Sequence, residues 1–202
     1  MEHNVFEDMA KRYDTEERKE LATVIVKEVR SKLQNSKSKS LLDYGSGTGL
    51  ISLALSDLVD SILLVDSSEQ MLEVAKAKIS QKGITNSEVL YSDFTQGTPD
   101  LKADIVLMSL VLLHIPETKK ILQELFTILN DGGKLIIVDF DKNEQISHPK
   151  VHNGFDHENL KEKLSEVGFT STEIKTFHHG QKIFMNQDAS MFIASSMKWV
   201  NT

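Results

Sequence analysis

The stretch that most constrains this chain is Leu41-Leu42-Asp43-Tyr44-Gly45-Ser46-Gly47-Thr48-Gly49, followed seventeen residues after its last glycine by Asp66. Three glycines at alternate positions join an apolar run to a helix-like segment. That is the composition of a tight strand-to-helix turn where a ligand approaches the backbone closely. A second apolar run, Ile62-Leu63-Leu64-Val65, puts Asp66 where a second parallel strand ends. In a doubly wound sheet that position faces ribose hydroxyls, and a carboxylate accepts hydrogen bonds from both. Loop and acid together point to an adenosine-containing cofactor.

A dinucleotide fingerprint needs Gly-x-Gly-x-x-Gly or Ala so that a pyrophosphate can sit on the helix N-terminus. Here Leu50 breaks the pattern. Asp43 would repel a doubly anionic ligand but attract an ammonium group. The acid therefore favours a ligand with an adenosine end and a cationic end, and disfavours a nicotinamide oxidoreductase.

The run from Asp43 to Gly49, followed by Val65-Asp66-Ser67-Ser68-Glu69-Gln70-Met71-Leu72 and later by Asp93, resembles class I S-adenosylmethionine (SAM)-dependent methyltransferases. The similarity is greatest to the small-molecule branch that includes the ubiquinone/menaquinone-biosynthesis enzymes, and it covers nearly the whole chain. It implies a Rossmann-like α/β fold with a mostly parallel seven-stranded sheet, order 3-2-1-4-5-7-6, the last strand antiparallel. It also implies S-adenosyl-L-methionine as cofactor, lying across the ends of the first three strands. The contacts expected on that basis are Tyr13, Asp43, Gly45, Gly47, Asp66, Ser67, Met71, Ser92, Asp93, Phe94, Ser109 and Leu110.

At 202 residues the expectation is a single methyltransferase domain, with residues 1–36 as an N-terminal helical lid. Residues 37–140 would form the cofactor-binding core, and 141–202 a substrate-side loop with C-terminal strands. The net charge of −7 argues against a broad nucleic-acid face, although Lys32, Lys37 and Lys39 could cluster locally. There is no cysteine, which excludes disulfides, thiolate metal ligands and a cysteine nucleophile. The acidic start Met1-Glu2-His3-Asn4 lacks signal-peptide features, and no apolar run is long enough for a bilayer, so a cytoplasmic location is expected.

Along the chain, Phe6, Met9, Ala10 and Tyr13 share helical spacing, and Leu21, Val24, Ile25, Val29 and Leu33 continue it in a second segment. Ser67 and Gln70 make a capping box ahead of a stripe formed by Met71, Leu72, Ala75 and Ile79. Residues 104–113 read as a fourth strand entering an apolar loop. Ile121, Leu122, Leu125 and Leu129 mark a helix stopped by Asp131-Gly132-Gly133, with a fifth strand at 135–138. Residues 141–153 are irregular. Asp156 caps a helix closed by Gly168, and late strands fall near 173–177 and 190–197, with His178-His179 in a turn.

Methyl transfer from a sulfonium is an in-line displacement with a good leaving group, so alignment and exclusion of water are the main demands. An acid or base is needed only when the acceptor carries a proton that must leave. Asp43 would take the ammonium and Asp66 the ribose diol. By family resemblance Asp93 would accept the adenine amino group, against the alternative of a loop cap. Phe94 is either an adenine contact or core. Tyr13 resembles a lid tyrosine over the methionine end, where an aromatic face gains a modest cation–π term, or else it belongs to the apolar stripe with Phe6 and Met9. Ser109-Leu110-Val111-Leu112 stands where amine- and amide-methylating enzymes carry a prolyl turn, so a small organic acceptor fits better.

His114 is the candidate base, against a structural role. His148, His152 and His157 invite a metal reading, but Pro149 and Gly154 interrupt any single helix, and no metal is expected. The acceptor pocket should draw on Tyr13, residues 109–116 and residues 141–153. The rivals are a catalytically silent SAM-binding regulator, with its pocket filled by Leu112 or Phe155, and a nucleic-acid methyltransferase. The oligomeric state is not encoded in these motifs.

Overall fold

Short apolar runs covered on both faces build the strands of this protein, for which a computed structural model describes residues 10–199. These fall into two units, one running to Pro99 and the other starting at Asp100. In the first unit β1 (Ser40–Tyr44), β2 (Ser61–Asp66) and β3 (Ser87–Tyr91) pair in parallel, with Leu41 beside Ile62 and Leu63 beside Glu88. In the second, β4 (Ala103–Ser109) runs parallel to β5 (Leu129–Phe140). β7 (Gln187–Lys198) is antiparallel to both β5 and β6 (Phe169–Phe184). The sheet order is β3-β2-β1-β4-β5-β7-β6, as the family resemblance implied. Leu41, Leu42, Leu64, Val65, Val106, Leu107, Ile136 and Val138 are all buried, which is the signature of a sheet covered on both sides.

Among the described residues, four α-helices flank these strands. α1 (Glu16–Lys32) starts at Thr15, whose hydroxyl accepts from Arg18 N, and buries Ala22, Ile25 and Val29. α2 (Glu69–Lys82) ends on left-handed Gly83, which caps the last turn. α3 (Thr118–Ile128) buries Ile121, Leu122, Leu125 and Ile128. α4 (His157–Val167) is capped by Asp156, accepting from Asn159 N at 2.9 Å, and closed by Gly168, both as expected.

Several local expectations are corrected. Phe6 and Met9 lie outside the described residues, and Tyr13 follows a short 3-10 turn (Ala10–Arg12) in irregular chain, because Thr15 caps a new helix directly after it. The glycine loop leads into only a four-residue 3-10 turn, Ser52–Leu55, not a full helix. Its ligand chemistry therefore rests on loop backbone and side chains and not on a helix dipole. The cap of α2 is Ser68, accepting from Met71 N at 3.2 Å, not Ser67. β5 begins at Leu129, with Asp131-Gly132-Gly133 inside an irregular stretch of the strand where its pairing register with β4 shifts.

The late strands form a much longer hairpin than expected. His178 and His179 pair within it, opposite Met191 and Ser190, and the turn is at Met185-Asn186. Both turn residues have positive φ (48° and 61°), as a two-residue hairpin loop with right-handed strand twist requires. Stacking of Phe184 on Phe140 at 4.3 Å pins the end of that hairpin. No helix among the described residues is long and apolar enough to cross a membrane.

Candidate functional site

In the first unit the glycine loop follows β1 directly. Gly45 N and Ser46 N both donate to Val65 O (2.8 and 3.0 Å), tying the loop to the end of β2. Gly45, Gly47 and Gly49 all have positive φ, between 55° and 75°. Their roles differ. A Cβ on Gly49 would stand 2.9 Å from Leu53 and Leu64 side chains, so that glycine serves packing. A Cβ on Gly47 would meet only Tyr13 Cε1, at 3.9 Å, so this part of the loop lies open beneath the tyrosine.

Two carboxylates flank the loop, and a third, Asp93, follows β3. Asp43 is buried, and burial pushes its carboxyl up to about 7, with the Ser52 hydroxyl opposing and the Asp66 charge adding. A buried acid with so high a pKa is poised to ionise when a cation arrives. Asp66 accepts from Gly47 N through Oδ2 (2.8 Å) and from Ser68 N through Oδ1 (2.9 Å). These two bonds orient the Asp66 carboxylate at the edge of the loop. Asp93 caps its own loop, with Oδ1 accepting from Thr95 N (2.9 Å) and Thr95 Oγ1 (2.7 Å).

A cavity of about 580 Å³ is lined by Ser67, Tyr91, Ser92, Asp93, Gln96 and Gly97. Three of the expected contacts, Ser67, Ser92 and Asp93, thus meet on one space; Tyr91, Gln96 and Gly97 were not legible as its walls. Phe94 and Met71 are among those that do not line it. Phe94 is buried with its ring 4.6 Å from that of Tyr44, and Met71 is buried in the core face of α2. Tyr13 lies over the loop, its carbonyl accepting from Arg18 Nη1 (2.9 Å) and its ring beneath the Arg18 guanidinium at 4.1 Å. Burial raises its phenol pKa, Arg18 opposes, and the charges of Asp66 and Asp14 add to the rise.

These features fit a SAM-shaped ligand. The donor set offers a buried acid for an ammonium and an oriented acid for a diol, with a polar cavity beside Ser67 and Asp93 for a base. The Ser46 hydroxyl, buried in the loop, finds no hydrogen-bond partner among the described residues.

In the second unit β4 ends at Ser109, whose buried hydroxyl also finds no partner among the described residues. Leu110 adopts a left-handed φ of 55°, and its N donates to Val138 O at 2.8 Å. The 3-10 turn that follows, Leu112–His114, is held from below by Asp139, which accepts from Leu113 N (3.1 Å) and Phe140 N (2.8 Å). Burial pushes Asp139 up to about 7, with the amides of Phe140, Leu113 and Leu112 opposing. His114 itself is exposed at the turn's edge. Even so, desolvation by the surrounding protein, and then His148, hold its imidazole below the usual value. It is therefore neutral, and able to accept a proton, at pH 7.

The other histidines are engaged separately. His152 Nε2 donates to Ile115 O (2.8 Å), His157 Nε2 meets Asp141 Oδ1 (2.6 Å), and His148 Nδ1 accepts from Lys150 N (3.1 Å). No trio of His, Asp or Glu among the described residues is arranged to hold a metal ion. Phe155 lines a second cavity, about 560 Å³, with Pro116, Lys142, His152, Asn153 and Leu160. Leu112 is buried in the core.

The comparisons with known proteins agree with this geometry. The family model described as a methyltransferase domain matches residues 35–189, so the chain belongs to that family. It is 27% identical over 142 residues to the ubiquinone/menaquinone biosynthesis C-methyltransferase UbiE of Pasteurella multocida, covering 68% of this chain and 53% of that protein. It is 31% identical over 105 residues to the uncharacterized methyltransferase YcgJ of Bacillus subtilis, covering 49% of this chain and 40% of that one. The chain thus spans about half the length of these curated relatives. Among solved structures, a SAM-dependent methyltransferase from Aquifex aeolicus shares the fold at a TM-score of 0.71 and 21% identity, covering 95% of this chain and 97% of that one. The chain that accompanies the Trm112 methyltransferase activator in a Haloferax volcanii complex reaches 0.80 at 16% identity, covering 99% and 100%.

Proposed function

We propose that the first unit binds SAM through Asp43, the glycine loop, Asp66 and the Ser67–Asp93 cavity, and that the protein methylates a small organic acceptor. The observation that carries the cofactor placement is the loop flanked by one buried acid near neutrality and one oriented acid. The bound cofactor supplies a methyl group activated on a sulfonium. Asp43 neutralises the ammonium, Asp66 orients the ribose, and Asp93 accepts from the adenine amino group through Oδ2. Tyr13 covers the methionine end and excludes water.

The small-acceptor reading is supported by the second cavity. Pro116 closes the turn after β4, and Lys142, His152 and Asn153 come from the irregular loop, so two of the three segments expected to bind acceptor share one space. Phe155 lines that space and does not fill it, which speaks against a silent regulator. His114, neutral at pH 7, is the candidate base for an acceptor that must lose a proton. The net charge of −7 disfavours nucleic acid. Incubation with methyl-labelled SAM and a mixed pool of small metabolites, RNA and protein tests this. Label in the small-molecule fraction is expected. Label only in RNA or protein, or SAM bound with no transfer to any fraction, would contradict it.

Binding should also be proton-linked. Asp43 in the free protein has a pKa of about 7, and an ammonium partner lowers it. Below pH 7, binding therefore releases a proton, and affinity should rise by up to about tenfold per pH unit before levelling above 7. Calorimetry in buffers of different ionisation enthalpy at pH 6 should show close to one proton released. In Asp43→Asn that release should vanish, with weaker binding.

A further inference from the structure

Lys78 lies on α2 in phase with the buried Met71 and Ala75, where an apolar residue is ordinarily found. Its ammonium donates to Thr48 O (2.9 Å) and Thr48 Oγ1 (3.0 Å) and forms an ion pair with the Asp14 carboxylate. The Thr48 hydroxyl in turn donates to Asp14 Oδ1 at 2.6 Å. Thr48 is buried, and the Lys78 and Asp14 side chains are only 18% and 21% exposed, so this cluster is shielded from screening by solvent. Three distant segments meet in it: the strap before α1, the glycine loop and α2.

Asp14 directly follows Tyr13, whose ring rests over Gly47. We propose that Lys78, acting through Asp14 and Thr48, is the positioning residue that holds the Tyr13 strap over the glycine loop and so sets how long SAM is retained. This rests on the cofactor reading above. Arg18 ties the strap on its outer side, by its bond to Tyr13 O and its stacking on the ring, but both contacts stay within the strap and the first turn of α1. Among the described residues, the Lys78 cluster is what fastens Asp14 to the loop and to α2. Loss of the ammonium leaves the Asp14 carboxylate half-buried and uncompensated, which favours its swinging out to water and taking Tyr13 with it.

The test pairs hydrogen exchange of the strap in the free protein with SAM dissociation measured by stopped flow. Lys78→Met and Asp14→Asn are each expected to speed exchange at residues 13–15 and SAM release about tenfold. The double variant should add little to either, since both break one cluster. Circular dichroism identifies any variant that fails to fold, and Asp14→Asn, nearly isosteric, then carries the test alone. Unchanged strap exchange in folded Lys78→Met or Asp14→Asn overturns the proposal, as does unchanged SAM release. A wild-type protein that binds no SAM yet shows Lys78-dependent strap protection overturns the cofactor reading and, with it, the retention role, while leaving the latch itself demonstrated.

Discussion

Asp66→Ala is expected to weaken SAM binding by about 100-fold or more. The carboxylate is proposed to accept from both ribose hydroxyls, and hydrogen bonds to a charged group contribute about 1.5–3 kcal/mol each. The substitution also strips the partner from Gly47 N and Ser68 N, which sit in partly buried positions 2.8 and 2.9 Å from the carboxylate. Stability should therefore fall by about 1–3 kcal/mol, the cost of leaving such donors unsatisfied. Asp66→Asn retains one acceptor oxygen and should lie between the two. Calorimetry with SAM and thermal unfolding of the free protein separate the two effects. Undiminished affinity in Asp66→Ala would remove this residue from the cofactor site.

Gly49→Ala is expected to cost about 2–5 kcal/mol of stability, far more than the same change at Gly47. At φ 75° the alanine pays the left-handed penalty of about 1–2 kcal/mol. Its Cβ also meets Leu53 Cγ, Leu53 Cδ1 and Leu64 Cδ2 at 2.9 Å, and both leucines are buried, so overpacking adds about 1–3 kcal/mol. At Gly47 the nearest atom is 3.9 Å away, and only the backbone term of about 1–2 kcal/mol applies. Urea unfolding of the two variants measures the difference. Equal losses would mean that the loop glycines share one role.

The contrast between these glycines shows where the sequence was readable. Alternating glycines after an apolar strand, with Asp66 at the end of the next strand, have local chemistry strong enough to fix the loop, whereas the sheet order came from the family resemblance those residues carry. The caps at Asp156 and Gly168 were legible from local chemistry too. Ser67 was placed in the capping box of α2 where Ser68 is the cap, because the two serines are chemically equivalent candidates and only the helix register chooses between them. The hairpin turn at Met185-Asn186 carried a weak signal, since methionine rarely adopts positive φ, whereas His178-His179 ahead of Gly180 looked like a better turn. Tertiary pairing of β6 with β7 decided against it.

The cluster of Asp14, Thr48 and Lys78 was hidden because its members lie more than thirty residues apart in two of the three pairings. One clue stood in plain view. A lysine seven residues after Met71 and three after Ala75 falls on the apolar stripe, and a charge at that phase needs a partner. Asp139 carried no comparable clue. It follows Leu135-Ile136-Ile137-Val138 as an ordinary strand-ending acid, and its hold on the Leu112–His114 turn depends on packing no local pattern encodes.

The central claim is that the acid-flanked glycine loop holds SAM and not a dinucleotide. Calorimetric titration of the wild-type protein with SAM, and separately with NADH, tests it most directly. Saturable one-to-one SAM binding with no heat from NADH is the result this account predicts. A folded protein that binds NADH and ignores SAM would contradict it and return the loop to the dinucleotide class.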